Sequence, residues 1–268
     1  MQSQHPSKAP QLWLAYPADL RDPGAIAECR ALLSEEEQAR AQRFHFERDR
    51  RAFVAGRALA RIALSHAHPL PPHSWEFRNN PYGKPSVEPE CGLRFNIANC
   101  AELVVCLLAP DSEVGVDAEP FARAEQIIGI ASKVFSATEL AQMTALRDSE
   151  QPDRALSLWV LKEAYVKACG RGLSLPLEEF SFVFESDGSI RLAMHAGLDD
   201  RPERWRFCLF DRADHRVALM VENASSQAPR LKGLHSAAAG VQVWEARPPH
   251  SPGMRQSVPG PQWFSAAP

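Results

Sequence analysis

One order of elements occurs twice along the 268-residue chain, and this repeat constrains the fold more than any other feature of the sequence. Ser34 and Glu37 have the spacing of a capping box, in which two side chains bond each other's backbone amides at a helix start. Ser136 and Glu139 have the same spacing. A longer apolar stretch with helical periodicity follows each box. The pattern therefore predicts two helix pairs, one in each half of the chain.

Strand signals follow each helix pair in the same order. SWEFRNNPYGKP and EEFSFVFESDGSIRL each predict a strand that runs into a turn, and LRFNIANCAELVVCLLA and WRFCLFDRADHRVALMV each predict a hairpin. Arg57 lies 23 residues after Ser34 and Lys162 lies 26 residues after Ser136, so we match these two cations. We expect an α+β fold of two similar α/β halves, residues 10–112 and 113–222, related by a pseudo-twofold duplication. The alternative is chance similarity of the kind that any α+β protein offers.

Residues 223–268 form a tail that differs in composition from the rest. The tail holds seven of the 22 prolines and only five charged residues, which favours disorder, although Trp244, Trp263 and Phe264 could dock locally. Residues 1–222 carry a net charge of −6 and the tail carries +3, so the overall −3 averages unlike regions. A near-neutral total argues against a bulk nucleic-acid binder.

The apolar runs and the cysteines limit the cellular compartments in which the protein can be expected. No apolar run reaches the roughly 18 residues that a membrane helix needs, and the N-terminal MQSQHPSKAP has no apolar region of the secretory type. The six cysteines form no C-x-x-C pair, which leaves zinc-ribbon and redox readings without support. We expect free thiols, no membrane contact and a cytoplasmic location.

A pair of acidic residues ends the segment EVGVDAEP, which predicts a strand that stops at a proline. Strand periodicity puts Asp117 and Glu119 on one face and Ala118 on the other. Two neighbouring carboxylates repel each other unless a cation lies between them, and hard oxygen ligands suit Mg²⁺. The alternative, which spacing alone favours, is two solvated acids at a strand end.

The segment WVLKEAYVKACGRG predicts a helix closed by glycine. Glu163 and Lys167 are neighbours four residues apart on this helix, and Trp159 lies one turn earlier on the same stripe. Such a stripe faces a core or a cleft more often than open water, although the Glu163–Lys167 pair on its own favours a surface salt bridge. Lys162 points roughly 100° away from Glu163.

Two further basic features remain open on the residues alone. The turn NPYGKP projects Lys84 from a restrained backbone, which suits an anion contact, although a solvated turn lysine is the commoner case. Seven arginines lie between Arg40 and Arg61, and they fit a solvated helix face as well as an anion site. The chain has neither a P-loop nor a G-x-G-x-x-G motif, so nucleotide binding by those routes is unsupported.

Together these motifs form the pattern of a known family. An arginine-rich helix, YGKP, FNIxN, GVDxE, FS-x-x-E and W-x-x-KEAYxKAxGxGLSLPLEEF follow one another. From about Leu32 to Val221 the chain resembles the 4′-phosphopantetheinyl transferases of the surfactin-synthetase-activating type, the larger, pseudo-dimeric class. The resemblance implies that fold, and transfer of the phosphopantetheine arm of coenzyme A to a serine of an apo acyl- or peptidyl-carrier protein, with release of adenosine 3′,5′-bisphosphate.

The resemblance also implies residue roles around a metal. Asp117, Glu119 and Glu163 match the family's ligands for Mg²⁺, and Asp117 also contacts coenzyme A. Glu163 matches the proposed general base for the acceptor serine, and Lys167 matches the lysine that stabilises or protonates the leaving phosphate. Lys162, beside the ligand glutamate, is expected to contact a phosphate.

The coenzyme A contacts implied by the resemblance come from the first half. Arg40 matches a basic position at the 3′-phosphate. The nucleotide is expected to lie beside the YGKP turn and the residues before it, and against the FNIxN strand: Asn79, Asn80, Tyr82, Gly83, Lys84, Pro85, Asn96, Ala98 and Asn99. The family often has Ser and His where this chain has Ala98 and Asn99, so coenzyme A binding is expected to be weaker or less dependent on pH.

Other readings stay open at this stage. The carrier could belong to a fatty-acid, polyketide or peptide synthetase, and a monomer is expected because the second half supplies what a half-length enzyme obtains from a partner. A non-catalytic homologue that binds coenzyme A or a carrier protein is the alternative to an enzyme, and a generic magnesium-dependent kinase lacks any phosphate-cradling loop.

Overall fold

The structure is a computed structural model that describes residues 10–20, 22–222, 242–245 and 263–265. The α-helices in these ranges are α1 Pro23–Ala31, α2 Glu35–Gln42, α3 Glu47–Ala67, α4 Ala124–Ile128, α5 Ala131–Val134, α6 Ala137–Thr144 and α7 Gln151–Cys169. The strands are β1 Gln11–Ala15, β2 Glu76–Asn79, β3 Pro85–Glu88, β4 Leu93–Asn99, β5 Val104–Pro110, β6 Val114–Pro120, β7 Phe180–Phe184, β8 Ile190–Met194, β9 Trp205–Arg212, β10 His215–Glu222, β11 Gln242–Glu245 and β12 Trp263–Ser265.

Two four-stranded sheets carry the duplication. Their strand orders are β11-β1-β5-β4 and β12-β9-β10-β6. Without the two strands of the tail, the orders β1-β5-β4 and β6-β10-β9 place equivalent strands in equivalent positions. A long helix packs on each sheet, α3 on the first and α7 on the second, and a separate hairpin follows each helix, β2-β3 and β7-β8. The expected fold of two similar halves is thereby confirmed; the bounds 10–112 and 113–222 stay a prediction.

Both capping boxes form as the spacing predicts. The Ser34 hydroxyl accepts from the Glu37 amide at 3.2 Å while the Glu37 carboxylate accepts from the Ser34 amide at 3.0 Å. In the second half the corresponding bonds between Ser136 and Glu139 measure 3.2 Å and 2.9 Å. Each box satisfies two amide groups that would otherwise lack a partner at the start of α2 or α6.

Each capping-box glutamate also forms an ion pair with a buried cation, which the sequence did not indicate. Glu37 pairs with the buried Arg61 of α3 at 2.7 Å, and Glu139 pairs with the buried Lys162 of α7 at 2.8 Å. The counterpart of Lys162 is therefore Arg61, and our match of Lys162 with Arg57 is wrong by one helical turn. Arg57 lies nearer the surface, 3.6 Å from the same Glu37. The duplication thus includes, in each half, a buried cation on the long helix that pairs with the capping-box glutamate of the preceding helix.

The two sheets share a core. Leu12 and Leu107 of the first sheet pack in one cluster with Val116 and Leu219 of the second. Strand β6 is the edge strand of the second sheet; its Val116 side faces this shared core, and its other face is covered by α7. Asn96 of β4 accepts a hydrogen bond from the Val116 amide at 2.9 Å, which ties the halves together where they meet. This arrangement puts β6 where the two halves meet.

Two short segments of the tail belong to the sheets. Strand β11 pairs in parallel with β1, and β12 pairs antiparallel with β9. The three aromatic residues expected to dock locally, Trp244, Trp263 and Phe264, lie in these strands. The expectation of disorder falls on residues 223–241, 246–262 and 266–268, which lie outside the described residues.

Two expectations about the whole chain can be compared with the structure. All six cysteines are free thiols, as expected. Within the described ranges, no helix has the length and apolar character needed to cross a membrane.

Candidate active site

Gly115 of β6 allows the long helix of the second half, α7, to pack directly on this strand. A β-carbon on Gly115 would lie 2.0 Å from the carbonyl oxygen of Ala164 and 2.4 Å from the amide nitrogen of Ala168. No real pair of atoms tolerates such distances, so only glycine allows α7 to lie this close to the strand. The close approach brings the residues of α7 next to Asp117 and Glu119, which share the Gly115 face of the strand.

The carboxylates of β6 face the stripe of α7 that the sequence singled out. Lys167 donates to Asp117 Oδ1 at 2.6 Å and to the Val116 carbonyl at 3.1 Å. Trp159 donates its indole N–H to Glu119 Oε1 at 3.3 Å, and Arg123 forms an ion pair with the same oxygen. Ala118 points the opposite way into the shared core. The predicted alternation along β6 is confirmed, and the acids are not solvated at a strand end.

Burial raises the pKa of Asp117 and of Glu163. Burial raises the pKa of Asp117 to about 6, although the Lys167 ammonium opposes the shift. Burial also raises the pKa of Glu163, with Lys167 opposing and Glu119 adding to the rise. Burial alone would lower the pKa of Lys167, but its ion pair with Asp117 outweighs that effect and holds the pKa above its ordinary value. Burial therefore disfavours the ionised forms of Asp117 and Glu163 more than the Lys167 ammonium favours them.

The donor set fits a hard divalent cation. Asp117 Oδ2 is buried and has no hydrogen-bond partner, and a bound cation would supply one. Carboxylate oxygens are the ligands that Mg²⁺ prefers. Within the described residues no three acidic, histidine or cysteine side chains converge as a ready-made metal site. Arg123 and Trp159 hold Glu119, and Lys167 holds Asp117, so these groups would have to shift for all three carboxylates to meet one ion.

A cavity of about 490 Å³ opens beside this cluster. Glu163 and Lys167 form part of its wall, and the FNIxN strand contributes Asn96. The YGKP turn, residues 82–85, also lines the cavity. A volume of this size is typical of small-molecule sites. The structure thus brings together, around one cavity, motifs that lie far apart in the sequence.

The YGKP turn is held against the end of α7. Asn80 Nδ2 donates to the Gly170 carbonyl at 2.8 Å, and Lys84 Nζ donates to the Ala168 carbonyl at 2.7 Å. Lys84 also forms an ion pair with Glu113. Burial lowers the pKa of Lys84, and Glu113 opposes that shift. Lys84 is therefore a cavity-wall residue with two protein partners, and not a solvated turn lysine.

Comparison with known proteins shows what this site is similar to. A family model described as the 4′-phosphopantetheinyl transferase superfamily matches residues 113–220, and one described as 4′-phosphopantetheinyl transferase, N-terminal, matches residues 24–111. A 4′-phosphopantetheinyl transferase of Bacillus subtilis is 33% identical over 168 residues, which are 62% of this chain and 73% of that protein. This chain belongs to the 4′-phosphopantetheinyl transferases.

Two further relatives and one solved structure are also similar to parts of this chain. The 4′-phosphopantetheinyl transferase Sfp of Bacillus subtilis (strain 168) is 32% identical over 166 residues, 61% of this chain and 72% of that protein. A phosphopantetheinyl transferase of Thraustochytrium is 30% identical over 243 residues, 81% of this chain and 80% of that protein. A crystal structure of a holo-(acyl-carrier-protein) synthase from Bacillus anthracis covers 42% of this chain and 96% of its own at 18% identity, with a TM-score of 0.37.

Lys162 does not occupy the place that we expected in the transferase. The side chain is fully buried, and its ammonium donates to the Leu177 carbonyl at 2.6 Å and to the Phe180 carbonyl at 2.7 Å besides pairing with Glu139. All three donors of the ammonium have partners inside the protein. A phosphate contact by Lys162 is therefore contradicted by its position.

The FNIxN strand also departs from expectation. Ala98 is 2% exposed and packs in the core that the sheets share, so its methyl group cannot reach coenzyme A. Asn99 is exposed at the end of β4, and its side-chain oxygen lies over Gly56 of α3, 2.3 Å from where a β-carbon would stand. Asn96 lines the cavity while its Oδ1 accepts from Val116. The substitution at Ala98 therefore changes core packing first.

Arg40, Asn79 and Asn80 are absent from the cavity wall. Arg40 is exposed on α2, with its guanidinium 5.2 Å from the ring of Phe53. Asn79 is exposed at the end of β2. Asn80 uses its amide within the protein, as described above, instead of pointing into the cavity. The expected contacts of Arg40 and Asn79 with coenzyme A stay predictions.

Several cavity residues escaped the sequence reasoning. Residues 175–177 and Val166 give the transferase pocket an apolar wall, while Glu178 adds an acid and Lys133 of α5 adds a cation. The GLSLPLEE part of the motif was visible in the sequence but carried no residue assignments. No local pattern marks Lys133, because the fold alone brings α5 to the cavity.

Proposed function

We propose that this protein transfers the 4′-phosphopantetheine arm of coenzyme A to a serine of an apo acyl- or peptidyl-carrier protein, and releases adenosine 3′,5′-bisphosphate. The observation that carries the proposal is the joint placement of Glu163 and Lys167 in the wall of one cavity, next to the buried Asp117. A base, an acid and an anionic cluster thus lie around a space that can hold a phosphoryl group. The family assignment supports the same reaction class.

Glu163 is the group that would take the proton from the acceptor serine. A serine hydroxyl is a weak nucleophile until a base removes its proton. Burial raises the pKa of Glu163, which makes its ionised form a stronger base than an exposed glutamate. Within the described chain no hydrogen bond holds the Glu163 carboxylate, so it is available to a substrate hydroxyl at the cavity wall.

Lys167 is the group that would meet the leaving phosphate. Its raised pKa keeps the ammonium charged at neutral pH, and its position in the cavity wall lets it donate to an oxygen that gains negative charge as the pyrophosphate bond breaks. Asp117 holds the ammonium in place from the other side at 2.6 Å. The serine oxygen bonds to the phosphorus of the arm, and the bond from that phosphorus to the bridging oxygen breaks.

We propose Asp117, Glu119 and Glu163 as the residues that hold Mg²⁺ in the loaded enzyme. The unpartnered Asp117 oxygen and the burial that disfavours the ionised form of this carboxylate support the assignment, because a bound cation would offset both. When bound, the ion would neutralise charge on the pyrophosphate and orient it for in-line displacement. Arg123 can release Glu119 at modest cost, because its side chain is 41% exposed and water can replace the carboxylate as its partner.

We further propose that the protein acts as a monomer in the cytoplasm. The shared core of the two sheets supports the first part, since the second half already meets a partner half within the chain. The six free thiols support the second part. The class of carrier protein, whether from fatty-acid, polyketide or peptide synthesis, follows from which carriers accept the arm.

A carrier-modification assay tests the proposed reaction. Apo carrier proteins of the three classes are incubated with coenzyme A, Mg²⁺ and the protein, and the intact mass of each carrier is measured. The proposal predicts a gain equal to one phosphopantetheine arm on at least one carrier. If every carrier keeps its mass at saturating coenzyme A and Mg²⁺, while the protein still binds coenzyme A, the chain is a non-catalytic homologue instead.

A further inference from the structure

The 80–85 turn lies so close to the end of α7 that little room is left for side chains at Gly170 and Gly172. Gly170 closes the helix with a φ of +65°, and a β-carbon there would lie 2.8 Å from Lys84 Cδ and 3.3 Å from Asn80 Nδ2. Gly172 has a φ of +52°, and a β-carbon there would lie 3.3 Å from the Tyr82 carbonyl. Both glycines leave room for the turn to lie directly against the helix end.

Asn80 uses both ends of its amide at this contact. Its Oδ1 accepts from the backbone amides of Tyr82 and Lys84, each at 2.9 Å, which fixes the shape of the turn. Its Nδ2 donates to the Gly170 carbonyl at 2.8 Å, which fixes the turn to the helix. A helix end leaves its last carbonyls without partners, so this bond also satisfies a group that needs one.

The two parts that Asn80 joins both contribute to the wall of the cavity. Tyr82 and Lys84 lie on the turn side, while Lys167 and Gly170 lie on the helix side. Asn80 itself is not in the wall. We propose that Asn80 is a positioning residue that clasps the turn to α7 and thereby sets the width of the coenzyme A pocket, and that it does not contact the adenine. The inference rests on the proposed function, because it assigns the pocket to coenzyme A.

The position of the clasp predicts which kinetic constant depends on it. The reacting groups Glu163 and Lys167 sit on α7, which is fixed to β6 through Gly115 and Asp117 and not through the turn. Loss of the hydrogen bond from Asn80 to Gly170 should therefore weaken the binding of coenzyme A, while the bound substrate stays correctly placed against Glu163. The KM for coenzyme A should rise while kcat stays unchanged.

Asn80→Asp separates the two ends of the amide. The carboxylate keeps the acceptor for Tyr82 and Lys84, but it loses the donor and places an oxygen against the Gly170 carbonyl. We expect the KM for coenzyme A, and its Kd by calorimetry, to rise by about tenfold, since one hydrogen bond becomes a repulsive contact. Ser86→Asp is the charge control, because Ser86 is exposed on the same hairpin and its hydroxyl bonds only the Arg78 carbonyl among the described residues.

Gly170→Ala opens the same clasp from the helix side, and Gly188→Ala controls for backbone strain. Gly188 also has a positive φ, +82°, but nothing lies within 4 Å of a β-carbon there. Both alanines strain the backbone, and only the first meets Asn80 and Lys84. We expect the KM for coenzyme A to rise in Gly170→Ala and to stay within twofold of the unmodified protein in Gly188→Ala.

Two results would contradict the proposed positioning role of Asn80. Equal KM values in Asn80→Asp and Ser86→Asp, or a fall in kcat with KM unchanged, would show that Asn80 does not set the pocket width. The proposed function can fail separately: if the unmodified protein binds coenzyme A but modifies no carrier, the Kd ratios of the four variants still test the clasp, and the transfer reaction alone is refuted.

Discussion

The carbonyl oxygen of Ala164 lies where a side chain on Gly115 would begin. A β-carbon built on Gly115 would lie only 2.0 Å from this oxygen, so α7 packs directly on the backbone of β6. Lys167, three residues further along α7, reaches Asp117 on the same strand face at 2.6 Å. The ion pair at the candidate active site therefore depends on a backbone contact that involves neither of its members.

Gly115→Ala should damage both the fold and the site. The added methyl group must push α7 away from β6, and overpacking of this kind costs about 1–3 kcal/mol or more of unfolding free energy. Chemical denaturation measures that loss, and carrier modification should fall at a temperature where the variant is still folded. Gly129→Ala is the control, because Gly129 lies at the end of α4 with its nearest neighbour at 3.3 Å. Equal stability of the two variants would contradict the account.

Asp117→Asn should change how stability depends on pH. The pKa of Asp117 is about 6 in the folded protein and about 3.9 in an unfolded chain. Ionisation is thus harder in the folded state, so this group lowers the unfolding free energy as pH rises from 4 to 6, by ~3 kcal/mol in all. Asparagine removes that titration, while Lys167 stays protonated throughout this range.

The unfolding free energies of the two proteins, measured in chelator at several pH values, check this prediction. The difference between Asp117→Asn and the unmodified protein should shift in favour of the variant between pH 4 and pH 7. A difference that is flat across this range would mean that Asp117 titrates normally. Transfer to the carrier should be lost in the variant at every pH.

Lys162→Met should destabilise the protein even without any substrate. The change leaves Glu139 buried without its cation, which costs about 3–5 kcal/mol of unfolding free energy. Arg61→Met should cost less, because Glu37 is 13% exposed and keeps Arg57 at 3.6 Å. Adding Glu139→Gln to Lys162→Met should recover part of the loss. If Lys162 instead bound a phosphate, the variant without substrate would melt like the unmodified protein.

Local rules in the sequence predicted much of this fold. The capping boxes, the alternation along β6 and the glycine that ends α7 each depend on residues within a few positions of one another. Such patterns are visible because the forces that create them act over one helical turn or one strand pleat. The order of the motifs then indicated the duplication and the family.

The expectations that failed depend on where a side chain lies in the assembled protein. Lys162 and Glu163 are adjacent, yet one is fully buried against Glu139 while the other lines the cavity. Ala98 lies in the core that the sheets share, against side chains that are many residues away in the sequence. Burial and long-range contact decided these roles, and no spacing in the sequence encodes them.

The most direct test of the central claim compares two proteins in one measurement. The unmodified protein and Glu163→Gln are each incubated with coenzyme A, Mg²⁺ and an apo carrier that accepts the arm, and the carrier mass is followed with time. The account predicts that the unmodified protein adds one arm, and that Glu163→Gln adds none while its melting temperature is retained. Transfer by Glu163→Gln at the rate of the unmodified protein would contradict the role of Glu163 and the mechanism built on it.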